Sequence, residues 1–287
     1  MRVAYESHCN IQINLSCLNF FQAKRQLSMN LLKDKIVLIT GASSGIGHAC
    51  ANAFANQGAR IILAARRVER LDELANQLKS KNIETYILPL DVRDKDIVQQ
   101  QIASLPSKWC NIDILINNAG LALDTLPIQE GNILHWDTMI DTNLKGLLYV
   151  SRLILPEMLK RKSGHVINIG SIAGHECYPN GNIYSATKHA VHAISKSMRL
   201  DLLGSGIRVT EIAPGAVETE FSEVRWSDKQ KAKDFYKDFQ PLSAHDIADA
   251  VLYCASRPPH VDIEQMLIMP TVQASANHLA RGLPLAT

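Results

Sequence analysis

The sequence predicts an α/β protein, built as a doubly wound parallel sheet of about seven strands in one domain with a small helical lid. Three observations carry this reading. Short β-branched runs alternate with amphipathic helical patterns along most of the 287 residues, which is how successive strand–helix–strand units read. The first run opens into a glycine-rich turn, TGASSGIG, over Thr40–Gly47. No internal repeat, low-complexity tract or linker divides the chain, so residues 29–287 are expected to form one domain.

The elements follow in order. KIVLIT (Lys35–Thr40) reads as a buried strand, because a short apolar run bounded by glycine suits a sheet covered on both faces. Behind the glycines, Ile46, Ala49, Ala53 and Phe54 fall near helical spacing, and Gly58 ends that helix. RIILAA (Arg60–Ala65) is a second strand and ERLDELANQLKS (Glu69–Ser80) a second helix. ETYILPLD and DILINNAG supply two more strands, with a helix near Lys95–Leu105 between them. One long helical pattern covers Ile133–Arg161. HVINIG is the fifth strand, SATKHAVHAISKSMRLDLL a helix, IRVTEIAPG the sixth strand and QMLIMP the seventh. Right-handed crossovers then wind the chain on both faces of the sheet.

Residues 219–240 interrupt the alternation. SDKQ (Ser227–Gln230) reads as a capping box, with a helix following through about Phe239. Ser243 caps a further helix over Ala244–Ser256. The extra helix is either a surface insertion or a mobile cover over a site; the cover is the preferred reading.

Composition excludes several classes. Apolar residues make up 46% and charged residues 20%, as in ordinary soluble domains. A net charge of +2 without like-charge runs points to no nucleic-acid partner. No stretch of about 18 apolar residues exists, so no membrane partner is expected. Cys9, Cys17, Cys50, Cys110, Cys177 and Cys254 form no C-x-x-C pair, which fits free thiols in a reducing cytoplasm. Residues 1–28 lack the unbroken apolar core of a signal peptide. They are expected to be a poorly ordered extension ahead of Met29, and the sequon at Asn14 to carry no meaning.

The glycine loop points to a dinucleotide. Gly41, Gly45 and Gly47 are spaced G-x-x-x-G-x-G, which differs from the commoner G-x-G-x-x-G. The physics is shared: glycine permits a tight turn and close backbone approach, and a helix N-terminus faces a pyrophosphate. The fold is therefore Rossmann-like. The end of the second strand chooses between cofactors, since an acid there would bind the ribose hydroxyls of NAD. Ala65 holds that position, and Arg66 and Arg67 follow. A guanidinium grips a 2′-phosphate through paired hydrogen bonds, and Ser43 could add a hydroxyl. Alternatively both arginines simply open a solvated helix. NADP (NADPH) is the expected cofactor.

The stretch GSIAGHECYPNGNIYSATK holds a second signal. On a helix, residues four apart share a face, so Tyr184 and Lys188 point together into one crevice. Ser171 stands just past the carboxyl end of the fifth strand, where ligands of such sheets bind. A free phenol has a pKa of about 10, and bringing it toward 7 takes roughly 4 kcal/mol. A nearby ammonium favours the phenolate, and Lys188 would supply one. Taken alone, the pair could equally be an exposed tyrosine and lysine on an ordinary helix.

TGASSGIG, NNAG (Asn117–Gly120), Asn143, Ser171, YSATK (Tyr184–Lys188) and Pro214-Gly215 appear in one order across roughly Lys35 to Pro270. In this the chain resembles the short-chain dehydrogenase/reductase family. WCNIDILINNAGLAL, EFSEVRW, RPPHV and MPTVQ look more closely like its NADP-dependent 3-hydroxy acid dehydrogenases. That group is also described as serine 3-dehydrogenase or L-allo-threonine dehydrogenase. The resemblance implies a catalytic set of Asn143, Ser171, Tyr184 and Lys188. Tyr184 would be the general acid/base, Lys188 would also bind the nicotinamide ribose, Ser171 would hold the substrate oxygen, and Asn143 would anchor a water leading to Lys188. It further implies cofactor contacts from Ser44 and Ile46 in the loop, the Asp91 side chain and Val92 backbone at the adenine, Asn118, Ala119 and Gly120, and Pro214, Gly215, Val217 and Thr219. A homotetramer through the Asn143 and Tyr184 helices is implied as well.

The implied reaction is reversible oxidation of the 3-hydroxyl of small 3-hydroxy acids, such as serine, allo-threonine or 3-hydroxypropionate. One rival is a carbonyl reductase of larger ketones or acyl-carrier substrates, although IMPTVQ replaces the glycine-rich ending of many such relatives. Another is a non-catalytic NADP sensor, which would need no proton relay. Arg225 is either a partner for a substrate carboxylate or a solvated lid residue. No metal is expected: His189 and His192 lie three apart on a helix, with no acidic or cysteine partner apparent in the sequence.

Overall fold

Seven strands form one sheet: Ile36–Thr40 (β1), Arg60–Ala65 (β2), Thr85–Pro89 (β3), Ile114–Asn117 (β4), Gly164–Ile169 (β5), Ile207–Pro214 (β6) and Gln265–Ile268 (β7). All neighbours are parallel, in the order β3-β2-β1-β4-β5-β6-β7. The computed structural model describes residues 32–282; the expected extension over residues 1–28, with its sequon, lies outside them.

Period-two alternation divides each strand between two cores. Val37 and Ile39 of β1 face a layer that includes Phe54, Leu71, Leu74 and Val251. Leu38 of β1 and Ile62 of β2 face the other layer with Trp109, Val150, Met158 and Val209. The first layer is roofed by helices Gly45–Ala55 (α1), Val68–Lys79 (α2) and, later in the chain, Ala244–Ala255 (α9). The second is roofed by Lys95–Ala103 (α3), Gly146–Arg161 (α5) and Asn182–Asp201 (α6). With helices on both faces the central strands contact no water, which is why β1 is apolar at all but its last position.

A buried polar chain crosses the second layer. Asn117 donates to Ser151 Oγ and to Asn168 Oδ1, both at 2.9 Å, and Asn168 donates to Ser195 Oγ at 2.9 Å. Asn117 and Asn168 are register partners between β4 and β5. Slipping that register would strand these amides without partners, so the chain fixes the strand ends that carry the cleft.

Three expectations need correction. The long pattern over Ile133–Arg161 is not one regular helix: Ile133–Ile140 (α4) passes through a π-turn, Asp141–Lys145, into α5. Helical periodicity continues through such a turn, so the sequence does not betray the extra residue. Ser227 does not cap the lid helix. It ends an unforeseen helix, Glu220–Trp226 (α7), in the left-handed region at φ 50°. Asp228 takes the cap instead, accepting from Gln230 N and Lys231 N, and the helix Lys229–Tyr236 (α8) follows. The third concerns His192, which meets an acid, Glu211, at 2.5 Å across from β6. By contrast Ser243 does cap α9, in a capping box with Asp246. A two-residue parallel ladder, Val217–Glu218 with Leu242–Ser243, closes the base of the lid.

Trp109 is 1% exposed, lies in a 3-10 turn and carries the Arg60 guanidinium 4.5 Å above its ring. Trp109→Ala empties the edge of the second core and is expected to cost about 3–5 kcal/mol. The midpoint of urea unfolding measures this.

Candidate active site

A cleft of about 580 Å³ opens at the carboxyl ends of the strands. It sits over the β1–β4 junction, where the winding reverses and loops part to either side. Gly41, Ser43, Ser44, Gly45 and Ile46 form one wall, and Arg66 and Arg67 stand at the tip of β2. Asp91 and Val92 follow β3, and Asn118–Gly120 follow β4. Ser171, Tyr184 and Lys188 stand opposite, and Pro214, Gly215, Val217 and Thr219 come in from β6. Of the residues singled out from the sequence, Gly47 and Asn143 lie behind this lining.

The glycine loop is shaped for close approach. Gly41 and Gly45 have φ of 67° and 53°, conformations that favour glycine. A Cβ at Gly47 would overlap the Gly41 carbonyl. Thr40 and Asn118 brace the loop: Thr40 Oγ1 accepts from Asn118 N and Ala119 N at 3.0 Å, and Asn118 Nδ2 donates to Thr40 O at 2.9 Å. Ser44 is the N-cap of α1 but makes no side-chain cap bond, and the first turn of α1 holds no acid. The amides of that turn are therefore available to an anion at the cleft. Glycine cradle, uncapped helix and cavity size together fit a dinucleotide.

The two arginines behave differently. Arg67 donates to Ser43 Oγ, Ser44 Oγ and Glu220. Arg70, which the sequence reading did not single out, shares Glu220 with it at 2.6 Å. Burial raises the Glu220 carboxyl, but the two guanidiniums outweigh that and hold it below the ordinary range. Arg66 makes no hydrogen bond among the described residues and remains exposed beside Ala65. Asp91 already engages Arg93, with Nη2 to Oδ2 at 2.6 Å, and that bond is the first cause of its lowered pKa.

Tyr184 and Lys188 share one face of α6, with Nζ 5.9 Å from the centre of the tyrosine ring. Lys188 is 6% exposed, and its Nζ donates to Ile169 O, the last residue of β5, at 2.8 Å. Burial lowers its pKa to about 8, while the Glu211 carboxylate opposes that fall. Ser171 accepts from Ala173 N in the turn after β5. Burial is also the largest influence on Tyr184, and Tyr178 adds to it, pushing the phenol up; Ser171 and Arg225 pull the other way. The protein's own groups thus raise the phenol; the expected fall toward 7 rested on Lys188 together with the positive ring of an oxidised nicotinamide. Asn143 sits in the π-turn and clasps Leu121 at both ends: Nδ2 donates to Leu121 O and Oδ1 accepts from Leu121 N, each at 2.8 Å. Its amide also donates to Thr187 Oγ1 at 3.1 Å. It positions the loop after NNAG against α6.

Helices α7 and α8 cover one end of the cleft. Arg225 Nη2 donates to Tyr178 OH at 2.6 Å, and its guanidinium lies 5.8 Å from the Tyr184 ring. Its Nε is buried without a hydrogen-bond partner, and no carboxylate pairs with it among the described residues. Phe221 stacks toward Tyr184 at 5.6 Å, and Tyr236 OH donates to Val217 O at 2.6 Å. The sequence reading missed Tyr178, Phe221 and Tyr236. Nothing in their local spacing marks them, because folding alone brings three separate segments to one point.

The short chain dehydrogenase family model matches residues 35–230. The chain belongs to that family. It is 46% identical over 243 residues to the NADP-dependent 3-hydroxy acid dehydrogenase YdfG of Escherichia coli O157:H7, covering 84% of this chain and 97% of that protein. It is 45% identical over 241 residues to sulfoacetaldehyde reductase 2 of Chromohalobacter salexigens, covering 83% and 95%. Among solved structures it is similar to the closed form of a serine dehydrogenase complexed with NADP+. The TM-score there is 0.82 and the identity 45%, with 86% of this chain and 99% of that one covered. No helix among the described residues is long and apolar enough to cross a membrane.

The lowered pKa of Lys188 sets a pH signature. Between about 8 and the ordinary lysine value the unfolded chain binds the extra proton, so stability contributed through this group rises with pH in that window. Wild type should gain unfolding free energy relative to Lys188→Met from pH 8 to 10, by at most about 3 kcal/mol. Parallel denaturation curves at several pH values check the sign and the size.

Proposed function

We propose that this chain is an NADP-dependent oxidoreductase that interconverts the 3-hydroxyl of a small 3-hydroxy acid and the matching carbonyl. Serine, allo-threonine and 3-hydroxypropionate-like acids are the substrate class. Arg225 carries the reading. It offers an unpaired, buried guanidinium N–H in the same cleft as Tyr184, with the guanidinium 5.8 Å from that ring. The relatives' names agree in chemistry: a 3-hydroxy acid and sulfoacetaldehyde both place one carbon between the reacting carbon and the group bearing the anion.

The roles follow from the cleft. The uncapped α1 turn and glycine loop bind the pyrophosphate, and Arg66 with Arg67 and Ser43 meet the 2′-phosphate. When bound, NADP supplies the hydride acceptor or donor and, oxidised, a positive ring that favours the phenolate. Ser171 hydrogen-bonds the substrate oxygen. In oxidation Tyr184 takes the hydroxyl proton; in reduction it returns it. Lys188 holds the nicotinamide ribose and its charge stabilises the phenolate. Asn143 keeps the Leu121 loop and α6 in place, and a water on it would lead protons to Lys188. Phe221, Trp226 and Tyr178 crowd the substrate end, which favours a small acid over an acyl-carrier substrate. The enzyme works in the cytoplasm as a homotetramer, built on α5, where Leu148 and Leu159 are exposed, and α6, where Leu200 is.

Tyr184→Phe keeps the ring and removes the proton carrier. It is expected to lower kcat by about 10²–10⁴-fold while NADPH binding, followed by fluorescence, persists. Near-normal turnover in the folded variant would remove the mechanism. Arg225→Ala is expected to raise KM for a 3-hydroxy acid by about 10–100-fold, the worth of a charge-assisted hydrogen bond, and to leave a neutral short alcohol unaffected. Equal effects on both substrates in steady-state assays would refute the carboxylate contact.

A further inference from the structure

Behind the Ser171 turn lies a cluster that contributes no side chain to the cleft lining. Glu211, on β6, is 1% exposed. Its Oε2 meets His192 Nδ1 at 2.5 Å, and its Oε1 lies 3.7 Å from His175 Nε2. That Oε1 is buried with no hydrogen-bond partner. It occupies the space a Cβ would fill at Gly170, so the chain has made room for the carboxylate there. The two imidazoles stand edge to face, 4.4 Å between ring centres, and their side chains are each 21% exposed. One ligand atom from each of the three residues lies within 4.8 Å of the others.

We propose that His175, His192 and Glu211 form a binding site for a divalent transition-metal ion of the zinc type. Two imidazole nitrogens and one carboxylate oxygen are a donor set that zinc accepts, with a fourth position left for water. Bonds of about 2.0–2.2 Å to tetrahedral zinc separate ligand atoms by roughly 3.5 Å. The His175–Glu211 separation already matches that, and His192 must retreat from the carboxylate by about 1 Å. Gln265 of β7, whose Nε2 lies 2.6 Å from His175 Nε2, must turn its amide aside or present its oxygen as the fourth ligand. The partly exposed imidazoles leave an entry path. An ion there would satisfy the orphaned oxygen, which otherwise bears the full cost of burial. It would join three elements: His175 follows the Ser171 turn, His192 is one helical turn beyond Lys188, and Glu211 lies on β6. Its role is a brace behind the cleft and does not depend on which substrate the enzyme takes.

The full-length protein, stripped with a chelator and titrated with zinc alone, is expected to bind one ion per chain by calorimetry. His175→Ala and His192→Ala should each weaken that affinity by more than the roughly 10–100-fold that loss of an outer-shell partner costs. His189→Ala, on the same helix, should leave it unchanged. In zinc-soaked wild-type crystals an anomalous peak among the three side chains is expected, and this readout needs no variant to fold. No binding, equal binding by all three variants, or a peak at other residues overturns the proposal.

Discussion

One buried ammonium holds the site together. Lys188 is nearly buried at the cleft wall, so its charge is met largely inside the protein, on the Ile169 carbonyl at 2.8 Å. That bond ties the helix of Tyr184 to the end of the strand that delivers Ser171. Burial lowers its pKa to about 8, and the Glu211 carboxylate opposes that fall. The cost of holding the charge is sustained by the packed sheet around it, which is why Tyr184 and Lys188 sit against the core and not on a surface loop.

A second tie works at low strength. Arg67 joins the glycine loop to the lid through Ser43, Ser44 and Glu220. These groups are exposed, so the ion pairs add little to stability. Their effect is positional: the same guanidinium that would meet a 2′-phosphate holds the lid when Glu220 accepts from it.

Much of this was legible in the sequence for identifiable reasons. A parallel sheet covered on both faces favours short apolar strands; β1 and β2 are nearly unbroken runs of this kind, and the others keep a β-rich apolar core around a few polar positions. Glycines in the loop and the four-residue spacing of Tyr184 and Lys188 are local facts that survive folding unchanged. The π-turn was not legible, because Asn143 keeps the helical pattern on either side of it. The lid cap was misplaced by one residue, because Ser227 and Asp228 both have capping side chains and only the left-handed turn at Ser227 decides between them. The acid beside His192 was invisible, because Glu211 reaches it from nineteen residues away across a sheet and a helix.

The sequence by itself determined the fold class, the glycine cradle, the absence of an acid at the tip of β2 and the pairing of Tyr184 with Lys188 on one helical face. These follow from period, spacing and side-chain chemistry within single elements. Only the tertiary structure decided the environment of each group: that the phenol is raised and the ammonium lowered by burial, that Asn143 clasps Leu121, that Arg225 faces Tyr184 with a free N–H, and that a carboxylate lies between two histidines. Burial and through-space charge are sums over neighbours from distant segments, and no local pattern contains them.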